Sequence, residues 1–122
     1  MPKIETLHLE AADDVPNSHL PVLIYRAVFA PGEAAADSME SAFRRHGWRG
    51  LWRDGIYPWH HFHDGAHEVL GIARGRAELH LGGEAGTCLT IDAGDVLVLP
   101  AGTGHKLLFG SDDLLVIGGY PP

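Results

Sequence analysis

The sequence predicts an all-β sandwich or small barrel carrying one early helix. Glycine and proline, 16 and 8 of 122 residues, punctuate the chain into short segments. From residue 56 onward, apolar and β-branched runs recur at roughly 8–12-residue spacing between turn signals. Only residues 33–46 carry a convincing helical pattern. Hydrophobic residues make up 45% of the chain and charged residues 20%, which supplies one domain's core and excludes a disordered chain. Residues 1–122 are read as that single domain, with 1–32 as an N-terminal strand or arm, 33–47 as the helix and 55–118 as the barrel core.

Residues 22–29, Val22 to Phe29, are rich in β-branched and aromatic side chains, and Pro21 and Pro31-Gly32 bracket them, so they read as a strand. The helix has Asp37 near its start, Glu40 and Arg44 as an i,i+4 pair, and Gly47 as its stop. Met39 and Phe43 fall on its apolar side. Residues 56–63 and 66–73 read as strands joined at Asp64-Gly65, a tight-hairpin signal. Residues 76–81 alternate, with Arg76, Glu78 and His80 outward and Ala77, Leu79 and Leu81 inward. Strands over 87–91, 96–99, 105–109 and 113–118 follow, separated by Gly82-Gly83, Ala93-Gly94-Asp95 and Pro100.

Nine basic residues against sixteen acidic ones give a net charge of −7, which argues against a nucleic-acid partner requiring a broadly basic face. No apolar run approaches the roughly 18–20 residues of a membrane span. The start, Met1 to Thr6, has no signal-peptide character, and the lone Cys88 suits a reducing compartment, so a cytoplasmic protein is expected. Mid-strand, Cys88 reads as a small core residue.

Nine histidines are an unusual load for this length. His61 and His63 stand two apart on a predicted strand and leave the same face. Glu68, across the Asp64-Gly65 turn, can swing back beside them. His105 follows the rigid Pro100–Gly104 loop and can aim at the same point. One strand histidine is ordinarily just a hydrogen-bonded residue, but three with a carboxylate converging through two turns suit a divalent Fe, Mn, Ni, Zn or Cu ion. His60 points to the opposite face and keeps the ordinary reading. His67, next to Glu68, also faces away unless a bulge reverses it, which leaves it as an outer-sphere or acid–base candidate.

The first tract, Gly55-x5-His61-x-His63-x4-Glu68-x6-Gly75, and the second, Gly94-x5-Pro100-x-Gly102-x2-His105, resemble the two signature motifs of the cupin superfamily. Residues 16–26, 52–57, 60–63, 66–71 and 94–106 are similar to the YjlB-like group of small bacterial cupins. The resemblance implies a double-stranded β-helix, a jelly-roll barrel, whose mouth holds a metal on His61, His63, Glu68 and His105. The last position of the second motif is often Asn in such proteins and is Phe109 here. Small cupins often pair through N-terminal strands, so residues 1–32 imply a homodimer.

Alternation back from His61 places Tyr57 and Trp59 on the ligand face, and even spacing from His105 adds Phe109; these three are the expected substrate-lining residues or, equally, barrel filling. Arg44, Arg45, Arg49 and Arg53 read as a solvated helix end, with a basic rim for anions as the sharper alternative. Three neutral imidazoles, one carboxylate and a divalent cation leave a charge near +1, favouring a small anionic or chelating ligand. The expected function is a metal-dependent enzyme of dioxygenase or isomerase type acting on a small oxygenated molecule. A non-catalytic ligand-binding or sensing cupin is the alternative, since the fold hosts both.

Overall fold

The computed structural model describes residues 3–122. Two antiparallel sheets face each other. The larger has six strands in the order β1 (Lys3–Leu7), β2 (Val22–Arg26), β7 (Val96–Leu99), β4 (Glu68–Arg74), β9 (Leu115–Tyr120) and β3 (Arg49–Asp54). The smaller has β6 (Thr87–Asp92), β5 (Arg76–Leu81) and β8 (His105–Gly110). The one helix among the described residues, α1 (Ala35–Arg45), lies on the outer side of the larger sheet.

Strand β4 explains the layering. It is central, buried on both faces, and reads as a continuous apolar run. Leu70 and Ile72 point between the sheets, where they meet Leu79, Leu81, Leu97 and Val116. Val69 and Ala73 point the other way and pack with Met39 and Phe43 of α1. Gly71 permits that contact: a Cβ there would stand 2.8 Å from the Met39 sulfur and 3.0 Å from the Phe43 ring. The helix ends where Gly47 takes φ +91°, and the Trp48 amide turns back to the Phe43 carbonyl.

The second half of the chain follows the predicted order of strands, but residues 49–63 do not. Residues 56–63 form no strand. The Leu107 amide donates to the Tyr57 carbonyl, and His61 and His105 exchange both backbone bonds as one isolated bridge. Between these points Pro58, which has no N–H, and its neighbours arch away from β8. Asp64-Gly65 therefore closes no hairpin, and β4 pairs with β7 and β9 instead. The strand that does precede this segment is β3, whose arginine-rich Arg49–Asp54 looked like the tail of the helix. Cys88 also differs from expectation: it stands exposed on the outer side of β6, opposite His80, because Leu89 and Ile91 take the inward positions.

Among the described residues, no helix is long and apolar enough to cross a membrane.

Candidate metal centre

The two sheets part at one end to leave a cavity of about 410 Å³. Its walls come from β3 and the arch after it (Trp52 to Pro58), from Leu70 on β4 and from Tyr120 on β9; His61, His63, Glu68 and His105 also line it. The structure brings these four together. Nitrogen atoms of His61, His63 and His105 lie within 4.8 Å of one another. Glu68 Oε1 stands 3.3 Å from His105 Nε2, and its Oε2 stands 3.8 Å from His63 Nε2.

Each side chain is aimed by its backbone. Glu68 opens β4 opposite Leu99, which buries its carboxyl at the barrel end. His105 opens β8 opposite inward-facing Leu81. The loop before it is pinned by the Gly102 amide on the His63 carbonyl and by the Gly104 amide on the buried Asn17 side chain. His67 is exposed and turned away from the cavity, where its Nδ1 accepts from the Ala101 amide. It thereby ties the segment carrying His63 to the loop carrying His105.

Tautomers follow from geometry. Nδ1 of His61 lies 2.9 Å from the Trp59 carbonyl and Nδ1 of His105 lies 3.0 Å from the Thr103 carbonyl. A carbonyl only accepts, so both Nδ1 atoms carry the proton and both Nε2 lone pairs are free for the cavity. Burial holds the His61 imidazole below its ordinary pKa, the neighbouring rings of His105 and His63 add to this, and the ring stays neutral at pH 7.

Glu68 supplies the test of fit. Its Oε1 is buried with no hydrogen-bond partner, although a buried carboxylate is costly unless charge or donors meet it. A cation among the three imidazole nitrogens satisfies that oxygen and all three lone pairs together, so the donor set fits a divalent transition metal.

The predicted lining residues separate. Tyr57 borders the cavity mouth, and Trp59 stacks on its outer side, with ring centroids 4.6 Å apart and planes 11° apart. Trp59 is 55% exposed and stands off the cavity wall. Phe109 lies on the outer side of β8 and is 54% exposed. The reason is a bulge: Leu107 pairs with Leu79 but Phe109 pairs with Glu78, so one extra residue, Leu108, reverses the alternation counted from His105. Of the four arginines, Arg44 and Arg45 end α1, whereas Arg53 on β3 clamps Asp37 and Glu40 of the helix.

Two wall residues were invisible to the sequence reading. Trp52 comes from the missed strand β3, and Tyr120 from two residues beyond the predicted end of the last strand. Burial first, and then the Glu68 carboxylate, hold the Tyr120 phenol above its ordinary pKa. The alternation of Trp52 with Arg53 was the one signal that could have revealed β3.

Two facing antiparallel sheets with a histidine–carboxylate cluster at one end of the space between them define the cupin fold, and this chain is a cupin-fold protein. It is related to YjlB of Bacillus subtilis, an uncharacterized protein, with 44% identity over 82 residues, 67% of this chain and 50% of that one. The chain thus spans about half the length of its curated relative. No protein-family model matches it. Acireductone dioxygenase from Bacillus anthracis, solved with cadmium in its active centre, is similar in fold at 17% identity, covering 70% of this chain and 58% of that one, with a TM-score of 0.51. RmlC from Streptococcus suis, in complex with dTDP-D-xylose, is similar over 98% of this chain and 70% of that one, with 14% identity and a TM-score of 0.51. A protein from Thermotoga maritima described as a predicted oxalate decarboxylase matches 98% and 92% of the two chains at 19% identity and a TM-score of 0.50.

Proposed function

We propose that this chain is a metal-dependent enzyme acting on a small, anionic or chelating oxygenated molecule, with His61, His63, Glu68 and His105 holding one divalent transition metal. The observation that carries the reading is the unpartnered, buried Oε1 of Glu68 facing imidazoles whose protons are already committed to carbonyls. The metal, when bound, supplies Lewis-acid polarisation of a ligand oxygen, or oxygen activation if it is redox-active.

The chain's own residues do the rest. Ile56, Pro58 and Leu70 give the cavity apolar walls that thin the water around a ligand. Trp52 lines the same cavity, and its indole Nε1–H is buried beside the Tyr120 phenol. Tyr120 keeps its phenolic proton and offers a donor on the same side as Glu68. An acid, enolate or similar oxyanion matches a centre whose net charge is near +1 and whose nearby donors are neutral.

Elemental analysis of the protein, as purified and after reloading with Fe, Mn, Ni, Zn or Cu, tests the site. His61→Ala/His63→Ala should remove an ion while circular dichroism stays unchanged, since both residues sit outside the regular strands. Unchanged metal content in that variant would refute the assignment. Oxygen uptake or turnover in a panel of small carboxylates, lost with the same variant, separates an enzyme from a binding module.

A further inference from the structure

We propose that the chain carries a second divalent-metal site, of zinc type, formed by His60, His80 and Glu84 on the outer face of the smaller sheet. One ligand atom from each of the three lies within 4.8 Å of the others. His60 Nε2 and Glu84 Oε2 are 3.0 Å apart. Two donors on one zinc ion stand roughly 2.9–3.4 Å apart, given metal–ligand distances of about 2.0–2.1 Å. The His60 and His80 rings meet edge to face with centroids 4.9 Å apart.

The three ligands arrive from separate, well-fixed places. His80 projects outward from the central strand of its sheet, between Cys88 on β6 and Lys106 on β8. Glu84 sits in the Gly82–Gly86 turn, which is held by the Gly82 amide on the Gly104 carbonyl and by the Glu84 amide on Asp14 Oδ2 at 2.9 Å. Gly83 in that turn takes φ +88°, and a Cβ there would come within 2.5 Å of Asp14 Oδ1, so the turn is seated tightly on Asp14. His60 comes from the arch, where it leaves the side opposite His61. Consecutive residues thus feed two different clusters.

A simple ion pair accounts for less. The His60–Glu84 contact of 3.0 Å involves one ring only. A neutral ring bonded to Glu84 leaves His80 with no role in the group. A divalent cation engages both rings and the carboxylate together. Glu84 and the nearby Asp14 together outweigh Lys106, the cation paired with His80 across β5 and β8. Two imidazoles and one carboxylate make a zinc ligand set that leaves a position for water.

The test is Zn²⁺ binding to the chelator-stripped full chain, read by equilibrium dialysis with elemental analysis. Visible absorption after Co²⁺ loading adds the coordination signature. Glu84→Gln changes an exposed side chain and cannot unfold the sheet, and His80→Gln provides an independent second ligand change. Each should lower affinity at one site by about tenfold or more and weaken the associated Co²⁺ bands. His61→Ala/His63→Ala should leave that site intact. Loss of an ion in Glu84→Gln and His80→Gln but not in His61→Ala/His63→Ala supports the second site even if the cavity proves metal-free. Zn²⁺ stoichiometry, affinity and Co²⁺ spectra in Glu84→Gln and His80→Gln equal to wild type would overturn it.

Discussion

Gly118→Ala is the sharpest probe of how the cavity wall is built. Gly118 lies on β9 opposite Trp52 of β3, and a Cβ on it would fall 2.0 Å from Trp52 Cζ2 and 2.1 Å from Cε2. Carbon atoms pack at about 3.5–4.0 Å, so the indole must move by roughly 1.5–2 Å or the two strands must spread. Gly118 has no positive φ, so the backbone itself accepts alanine and the whole effect is steric. Overpacking of this kind costs about 1–3 kcal/mol. Trp52→Ala alone should cost about 3–5 kcal/mol through lost burial and the space left behind, less to the extent that this half-buried ring is already solvated. In the Trp52→Ala background, however, Gly118→Ala should be close to neutral, because nothing remains to collide with. Urea unfolding of the four proteins, followed by circular dichroism, gives the cycle. A coupling of about 1–3 kcal/mol is expected, with ligand affinity in the cavity falling in Gly118→Ala as the indole is displaced. An equal cost of Gly118→Ala in both backgrounds would show that the indole does not rest on Gly118 and that this account of the wall is wrong.

Phe109→Asn should leave metal content and small-carboxylate binding unchanged and shift stability by no more than about 0.5 kcal/mol, as for a surface position. A loss of several kcal/mol by urea unfolding would return the ring to the barrel interior. Arg53→Gln tests the clamp between α1 and β3. The Glu40 carboxyl is held below its ordinary pKa, chiefly by the hydrogen bond from Arg53, so the clamp contributes fully above the unfolded value of about 4.3 and is lost as pH falls through the lower folded value. Wild type should therefore lose more stability than Arg53→Gln between neutral pH and pH 3, and equal losses would show the clamp to be inert.

The sequence was most legible where hydrophobic period and pairing coincide. Residues 76–81 alternate cleanly because β5 has one face on the core and one in solvent, and their register with β6 runs without a break. The helix was readable because Met39 and Phe43 must share the face that meets Gly71. Phe109 was misplaced by the same logic, because the bulge at Leu108 is a backbone event that leaves no mark in an apolar run of Leu107, Leu108 and Phe109. Strand β3 was hidden because it is an edge strand, with Gly50 and two arginines in place of an apolar stripe.

The histidine–carboxylate cluster that could hold a metal comes together for a different reason than the one that first points to it. Strand alternation puts His61 and His63 on one face, yet the segment carrying them is an arch anchored at only two places on β8. What aims these side chains is a set of backbone bonds: His61 to His105, Gly102 to His63, and the Nδ1–H groups to the Trp59 and Thr103 carbonyls. These bonds join the two motifs to each other, so each candidate ligand's position is fixed by the tract that carries another. An irregular segment has no sheet partner to hold its form, and here the reciprocal bonds to the His105 strand supply that constraint. His61 turns into the cavity while His60, its neighbour on the opposite side, reaches the cluster on the outer face. A regular strand could present the same alternation, but it would spend its amides and carbonyls on a neighbouring strand rather than on the loop that positions His105.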